Sequence, residues 1–114
     1  MSGKKPTKRK ILWDNEAKRS LKSIYVYLKH KESVNIARKV RNEIVNQTKR
    51  LDLFPEKFAT EPHLKNERGN FRYKVIWSYK IIYEITLNTI FIIDIFHTSR
   101  NPLELNPEDD NPFT

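Results

Sequence analysis

The sequence predicts an α+β domain in the order β-α-α-β-β-β. A helix hairpin packs on one face of a small, mostly antiparallel four-stranded sheet. Three observations carry this. Apolar residues recur at helical spacing in two stretches between residues 15 and 51. Only the short link "HKES" separates those stretches, so the helices must turn back on each other. From Asn70 onward the pattern becomes one of alternating and apolar runs, divided by two tight turns.

Residues 1–8 contain Gly3 and Pro6 and no apolar side chain besides Met1, which predicts a flexible basic arm. A single domain is expected over residues 9–100, and an acidic tail over 101–114. "RKILW" reads as the first strand, and Asp14 as the N-cap of a helix from Asn15 to about His30, with Glu16 favoured in its first turn. Ala17, Leu21, Ile24 and Leu28 form its apolar stripe, with Tyr25 on the same side. Ser33 caps a second helix whose stripe is Ala37, Val40, Ile44, Thr48 and Leu51, and "LFP" stops it near Pro55.

Glu56 to Gly69 has no steady period and reads as a long loop, of the kind that is often functional. Three strands are then expected, at about Asn70–Trp77, Tyr79–Leu87 and Thr89–His97. Phe71, Tyr73, Val75 and Trp77 are expected on the core face of the first, leaving Arg72 and Lys74 on a face with no helix to cover it. The third is apolar on both sides, as a central strand would be.

The chain has 114 residues, enough to build one core, and no cysteine, which excludes disulfides and thiolate metal sites and suits a reducing cytoplasm. The longest apolar run, "TIFIIDIF", is far too short to cross a bilayer, and no signal-peptide pattern follows the basic start, so a soluble, cytoplasmic protein with no membrane partner is expected. The net charge of +8 is unevenly spread: residues 1–10 carry five Lys/Arg and no acid, and residues 101–114 carry four acids and no Lys/Arg. The intervening chain is itself strongly basic, which fits a phosphate-bearing or acidic partner. His30, His63 and His97 are far apart and the two glycines are isolated, so neither a metal site nor a phosphate-binding glycine loop is expected, and no cofactor.

Several segments together resemble the RelE/ParE superfamily of toxins from bacterial type II toxin–antitoxin modules. "ILWDNEAKRSLKSIYVYL" is similar to the family's opening strand and first helix, and "SVNIARKVRNEI" with "LDLFPEKF" to its second helix and the following proline. "FRYKV", "YKIIYEI" and "IFIIDIFHTSRNP" are similar to its terminal strands and closing His-x-x-Arg-x-Pro. The resemblance implies a toxin neutralised by an acidic antitoxin. It also implies one of two targets: mRNA on the ribosome for RelE-like members, or DNA gyrase for ParE-like members, which are not hydrolytic.

Metal-independent RNA cleavage needs a base for the 2′-hydroxyl, an acid for the leaving oxygen and cations for the phosphorane. Arg72 matches the family's strand arginine and suits a phosphate oxygen, or else is simply an ion-paired strand residue. His97 is a candidate general acid or base and Arg100 a candidate phosphate clamp; strand-end bonding to backbone is the plainer role for both. Lys65, Arg68 and Lys74 are candidate nucleic-acid contacts or plain solvated charges. Against cleavage, no tyrosine follows Tyr83, where RelE-like sites often place one, and Lys65 stands alone where a lysine pair is usual. The leading expectation is ribosome-dependent mRNA cleavage. The alternatives are gyrase inhibition without nuclease activity, and a non-enzymatic basic module that binds nucleic acid.

Overall fold

The computed structural model describes residues 9–99; the expected basic arm over 1–8, Arg100 and the acidic tail over 101–114 lie outside these residues. The elements run β1 (Lys10–Trp13), α1 (Asn15–Lys31), α2 (Val34–Lys49), β2 (Asn70–Ile76), β3 (Tyr79–Ile85) and β4 (Thr89–His97). Short 3₁₀ turns at Arg50–Asp52, Pro55–Lys57 and Pro62–Leu64 occupy the connection between α2 and β2. This is the expected α+β order.

The helix boundaries follow their caps. The Asp14 carboxylate accepts from Asn15 N–H, and the Ser33 hydroxyl oxygen accepts from Ile36 N–H at 3.1 Å. Ala17, Ile24, Ala37, Ile44 and Thr48 are buried, so both apolar stripes face inward as their spacing requires. The Arg41 guanidinium lies 4.8 Å from the centre of the Tyr25 ring and ties the hairpin on its outer side.

The sheet order is β1-β4-β3-β2, with β1 parallel to β4 and the other pairs antiparallel. The last strand in the chain therefore sits between the first strand and the third. Ile90, Ile92 and Ile95 of β4, with Ile81 and Tyr83 of β3, meet Ile24, Ile44 and Leu51 in a core that is essentially closed to solvent. A register shift at Ile82/Tyr83 lets Ile93 fall out of the ladder. Two strands are shorter than expected. β2 stops at Ile76 because Trp77 takes a left-handed conformation (φ 52°) in the turn. β3 stops at Ile85 because Thr86 turns the chain, its hydroxyl accepting from Thr89 N–H.

The facing of β2 corrects the sequence expectation. Arg72, Lys74 and Ile76 stand opposite Tyr83, Ile81 and Tyr79, all core residues on the helix side. Phe71, Tyr73 and Val75 therefore occupy the other face, where Val75 is 49% exposed. The face away from the helices is thus not an open basic surface; it is built from Leu12, Phe71, Tyr73, Ile82, Phe91 and Phe96, and Ile82 and Phe96 are buried on it. The physical reason is position. β2 is the outer strand, so its helix-side residues fall at the rim of the helix pair, where long basic side chains lay their stems over apolar surface and keep their heads at the edge.

The connection before β2 is more ordered than its irregular sequence suggests. Tyr73 N–H donates to the Ala59 carbonyl (3.0 Å), Glu61 N–H donates to the Phe71 carbonyl (2.8 Å), and Thr60 bridges Arg72. Residues 59–61 thereby cover the edge of the sheet that β2 would otherwise expose.

Candidate functional site

Arg72 is held by its own domain. Its Nε donates to Asn70 Oδ1 at 3.0 Å, and its Nη1 donates to the carbonyls of Glu56 (2.9 Å) and Phe58 (2.7 Å). A guanidinium presents a fixed fan of donors, and here two of the three bonds draw the loop at 56–58 onto the sheet while the third stays within β2. Beneath it, the buried Tyr83 hydroxyl donates to the Pro55 carbonyl at 2.6 Å. Burial pushes the Tyr83 phenol well above its ordinary range, against a smaller opposing pull from Arg72.

His97 closes β4 opposite Tyr79, whose ring it meets edge-on at 5.6 Å. Its Nδ1 accepts from Ser99 N–H (3.1 Å) and lies 2.8 Å from the Ser99 hydroxyl, so that nitrogen serves the strand's own end. The sheet does not bring His97 to Arg72. Tyr79 pairs with Ile76, four positions along β2 from Arg72. With ~3.3 Å per residue and ~4.8 Å between strands, the two Cα atoms are about 16 Å apart. The buried Tyr79 and Ile81 share the face on which both residues lie. Cleavage would need Arg72, His97 and Arg100 to meet on the open face; Arg72 and His97 are instead separated on the covered one, and Arg100 lies outside the described residues.

Of the three candidate nucleic-acid contacts, Lys65 and Arg68 are exposed on the loop. Lys74 lies on the helix side and donates to Gln47 Oε1 of α2. Partial burial, then the nearby charges of Lys57 and Arg50, push the Lys74 ammonium pKa below its ordinary value, with Glu43 opposing them.

One charged pair on the far face had no signal in the sequence. Lys80 Nζ lies 2.7 Å from Glu61 Oε1, with side-chain exposures of 15% and 0%. Glu61 Oε1 is outside hydrogen-bond geometry, so the contact is an ion pair more than a directed bond. Glu61 Oε2 accepts from His63 N–H at 2.8 Å, and the Lys80 ammonium also stands 4.3 Å from the centre of the Tyr73 ring. Lys80 falls within the strand expected at Tyr79–Leu87. Glu61 sits in a stretch without a period, so nothing marked it as the partner. Among the described residues, no group of three or more His, Cys, Asp or Glu could hold a metal ion. No helix among them is long and apolar enough to cross a membrane.

Known proteins agree with this architecture. No curated protein matches the chain in sequence. A chain in the solved structure of the chromosomal ParDE TA system from P. aeruginosa superposes with a TM-score of 0.66 at 22% identity, covering 78% of this chain and 95% of that one. At that identity the likeness speaks for the fold. The family model for the ParE toxin of the type II toxin–antitoxin system parDE matches residues 11–102, from the first strand past the last. The chain belongs to the ParE toxin family of type II toxin–antitoxin systems.

Proposed function

We propose that this toxin acts on DNA gyrase, as ParE-like members do, rather than by cutting mRNA, and that an acidic antitoxin neutralises it. Family membership implies an antitoxin partner. The observation that favours the gyrase reading is the state of Arg72. RNA cleavage in the expected form needs that guanidinium free to reach a phosphate, within hydrogen-bond range of the group that moves the proton. Two bonds to the loop at 56–58 and one to Asn70 of its own strand engage it, and His97 stands on another part of the sheet. In this reading Arg72 shapes the loop, and Lys65 and Arg68 offer exposed cations to the DNA-bound target.

The test measures both activities of one preparation. Purified protein is added to gyrase with relaxed plasmid, and mRNA integrity is followed after induction in growing cells. Loss of supercoiling with intact mRNA is expected, and His97→Ala should leave the supercoiling effect within about threefold of wild type, since no proton transfer is involved. Ribosome-dependent fragmentation of mRNA, abolished by His97→Ala while supercoiling continues, would overturn the proposal in favour of cleavage.

A further inference from the structure

On the outer side of the helix hairpin, the seam where α1 and α2 meet carries charge of one sign. The Arg41 guanidinium over the Tyr25 ring sets the register of the antiparallel pair. Lys29 thereby comes level with Arg38, and Lys18 with Lys49. At about 100° per residue, Lys18, Lys22 and Lys29 fall within about 40° of one another, on the Tyr25 side of the buried Ala17–Ile24 stripe. Arg38 and Lys49 take the matching place on α2, with Arg41 between them and nearer the core. Arg41 is half-buried and the other five are exposed. Among the described residues none of the six makes an ion pair, whereas Arg9, Arg19 and Lys80 each have one.

The acids of the hairpin are elsewhere. Residues 14–52 hold five Asp/Glu against ten Lys/Arg. Glu16 and Glu43 lie roughly 130–140° around their helices from the cation rows. There Glu16 pairs with Arg19, and Glu43 accepts from the Gln47 side-chain amide at 2.7 Å. The remaining three stand at the ends of the seam. Asp14 accepts from Asn15 N–H at 2.9 Å, Glu32 closes α1, and Asp52 is buried in the turn after α2.

We propose that this seam grips the phosphate backbone of duplex DNA, with Lys18, Lys22 and Lys29 on one side and Arg38, Arg41 and Lys49 on the other. Each row spans eleven residues, about 16 Å of helix, and packed helix axes stand about 8–10 Å apart. A sugar–phosphate strand laid along the seam therefore meets cations on both sides. One strand of a duplex presents a phosphate about every 3.4 Å of axis, so about four or five face the seam. Contacts of this kind position a duplex without reading its sequence. The aromatic ring at the seam, Tyr25, is half-buried beneath Arg41 and offers no face for an unpaired base. That favours a duplex over a single strand. The choice of DNA rests on the gyrase reading above, where the target is itself DNA-bound.

Fluorescence anisotropy of the full chain with a labelled 20-base-pair duplex of mixed sequence, without gyrase, tests the seam. The logarithm of the association constant should fall with the logarithm of salt concentration at a slope of about −4. Lys22→Ala combined with Lys29→Ala should weaken binding about tenfold and make the slope shallower by about two. Lys10→Ala with Lys31→Ala removes the same charge away from the seam, since Lys10 lies on the far side of β1 and Lys31 on the opposite flank of α1. That pair should stay within about twofold of wild type. Equal losses in the two pairs would reduce the effect to net charge and overturn the seam, as would an unchanged Kd for the Lys22/Lys29 pair. A 20-nucleotide RNA single strand that binds as tightly as the duplex would overturn the assignment to duplex DNA. The two readings fail separately: loss of supercoiling without direct DNA binding sinks the seam alone, and DNA binding with supercoiling intact sinks the gyrase reading alone.

Discussion

Glutamine at position 61 isolates the strength of the Glu61–Lys80 pair, because it keeps the size of the side chain and an oxygen for His63 N–H while removing the charge. Deleting one partner of a fully buried pair costs roughly 3–5 kcal/mol, since the other charge is left without compensation. Lys80 retains 15% side-chain exposure and the Tyr73 ring face at 4.3 Å, both of which soften that loss. About 2–3 kcal/mol is therefore expected for Glu61→Gln, a large share of a stability of roughly 5–15 kcal/mol. By contrast, the Arg19–Glu16 pair is 74% and 66% exposed and should be worth less than about 1 kcal/mol. Urea unfolding followed by tryptophan fluorescence measures the change. Lys80→Met added to Glu61→Gln removes the stranded charge and should recover most of the loss, giving a coupling of about 2 kcal/mol in the double-mutant cycle closed by Lys80→Met alone. Because Glu61 anchors residues 59–61, Glu61→Gln should also speed hydrogen exchange at Tyr73 N–H, which donates to Ala59. A cost below about 1 kcal/mol with additive single mutants would refute the view that this pair fastens the loop.

The Tyr83 phenol titrates higher in the folded than in the unfolded chain. Its contribution is thus fully present below the unfolded value near 10 and is lost as pH rises further, at about 1.4 kcal/mol per pH unit. Tyr83→Phe should flatten the fall in stability between pH 10 and 11 by about 1 kcal/mol, and parallel wild-type and mutant curves in urea titrations would contradict it. Gly69 sits at φ +129°, and a Cβ there would stand 2.8 Å from both Glu84 Oε2 and the Phe71 ring. Gly69→Ala should therefore lower stability by about 1–3 kcal/mol in thermal or urea unfolding, chiefly through its backbone; a change under ~0.5 kcal/mol would show that the loop tolerates another path.

The parts of the fold legible in the sequence were those with local causes. Asp14 and Ser33 marked the helix starts, the stripes from Ala17 to Leu51 marked the buried faces, and the apolar β4 announced a central strand. The facing of β2 was misread because Phe71, Tyr73, Val75 and Trp77 alternate as a core face would. What decides it is the register with β3 and the place of β2 at the sheet margin, and both are non-local. The role of Arg72 was hidden for a similar reason. Its partners are carbonyls of Glu56 and Phe58, and a backbone carbonyl has no identity in the sequence. Glu61 was illegible because a single acid in an irregular stretch looks like any solvated charge.

The central place of β4 has a consequence for how the toxin comes into being. β1 pairs with it through Lys10 and Thr89, so the two ends of the ladder are separated by nearly the whole domain in sequence. During synthesis, β1 and the two helices emerge with no sheet to complete, and the isoleucines that would cover them arrive last. At roughly 5–20 residues per second, several seconds separate the first strand from its partner. Contacts this distant in sequence also close slowly. A chain truncated ahead of Thr89 lacks Ile90, Ile92 and Ile95 of the core and the strand that joins β1 to β3.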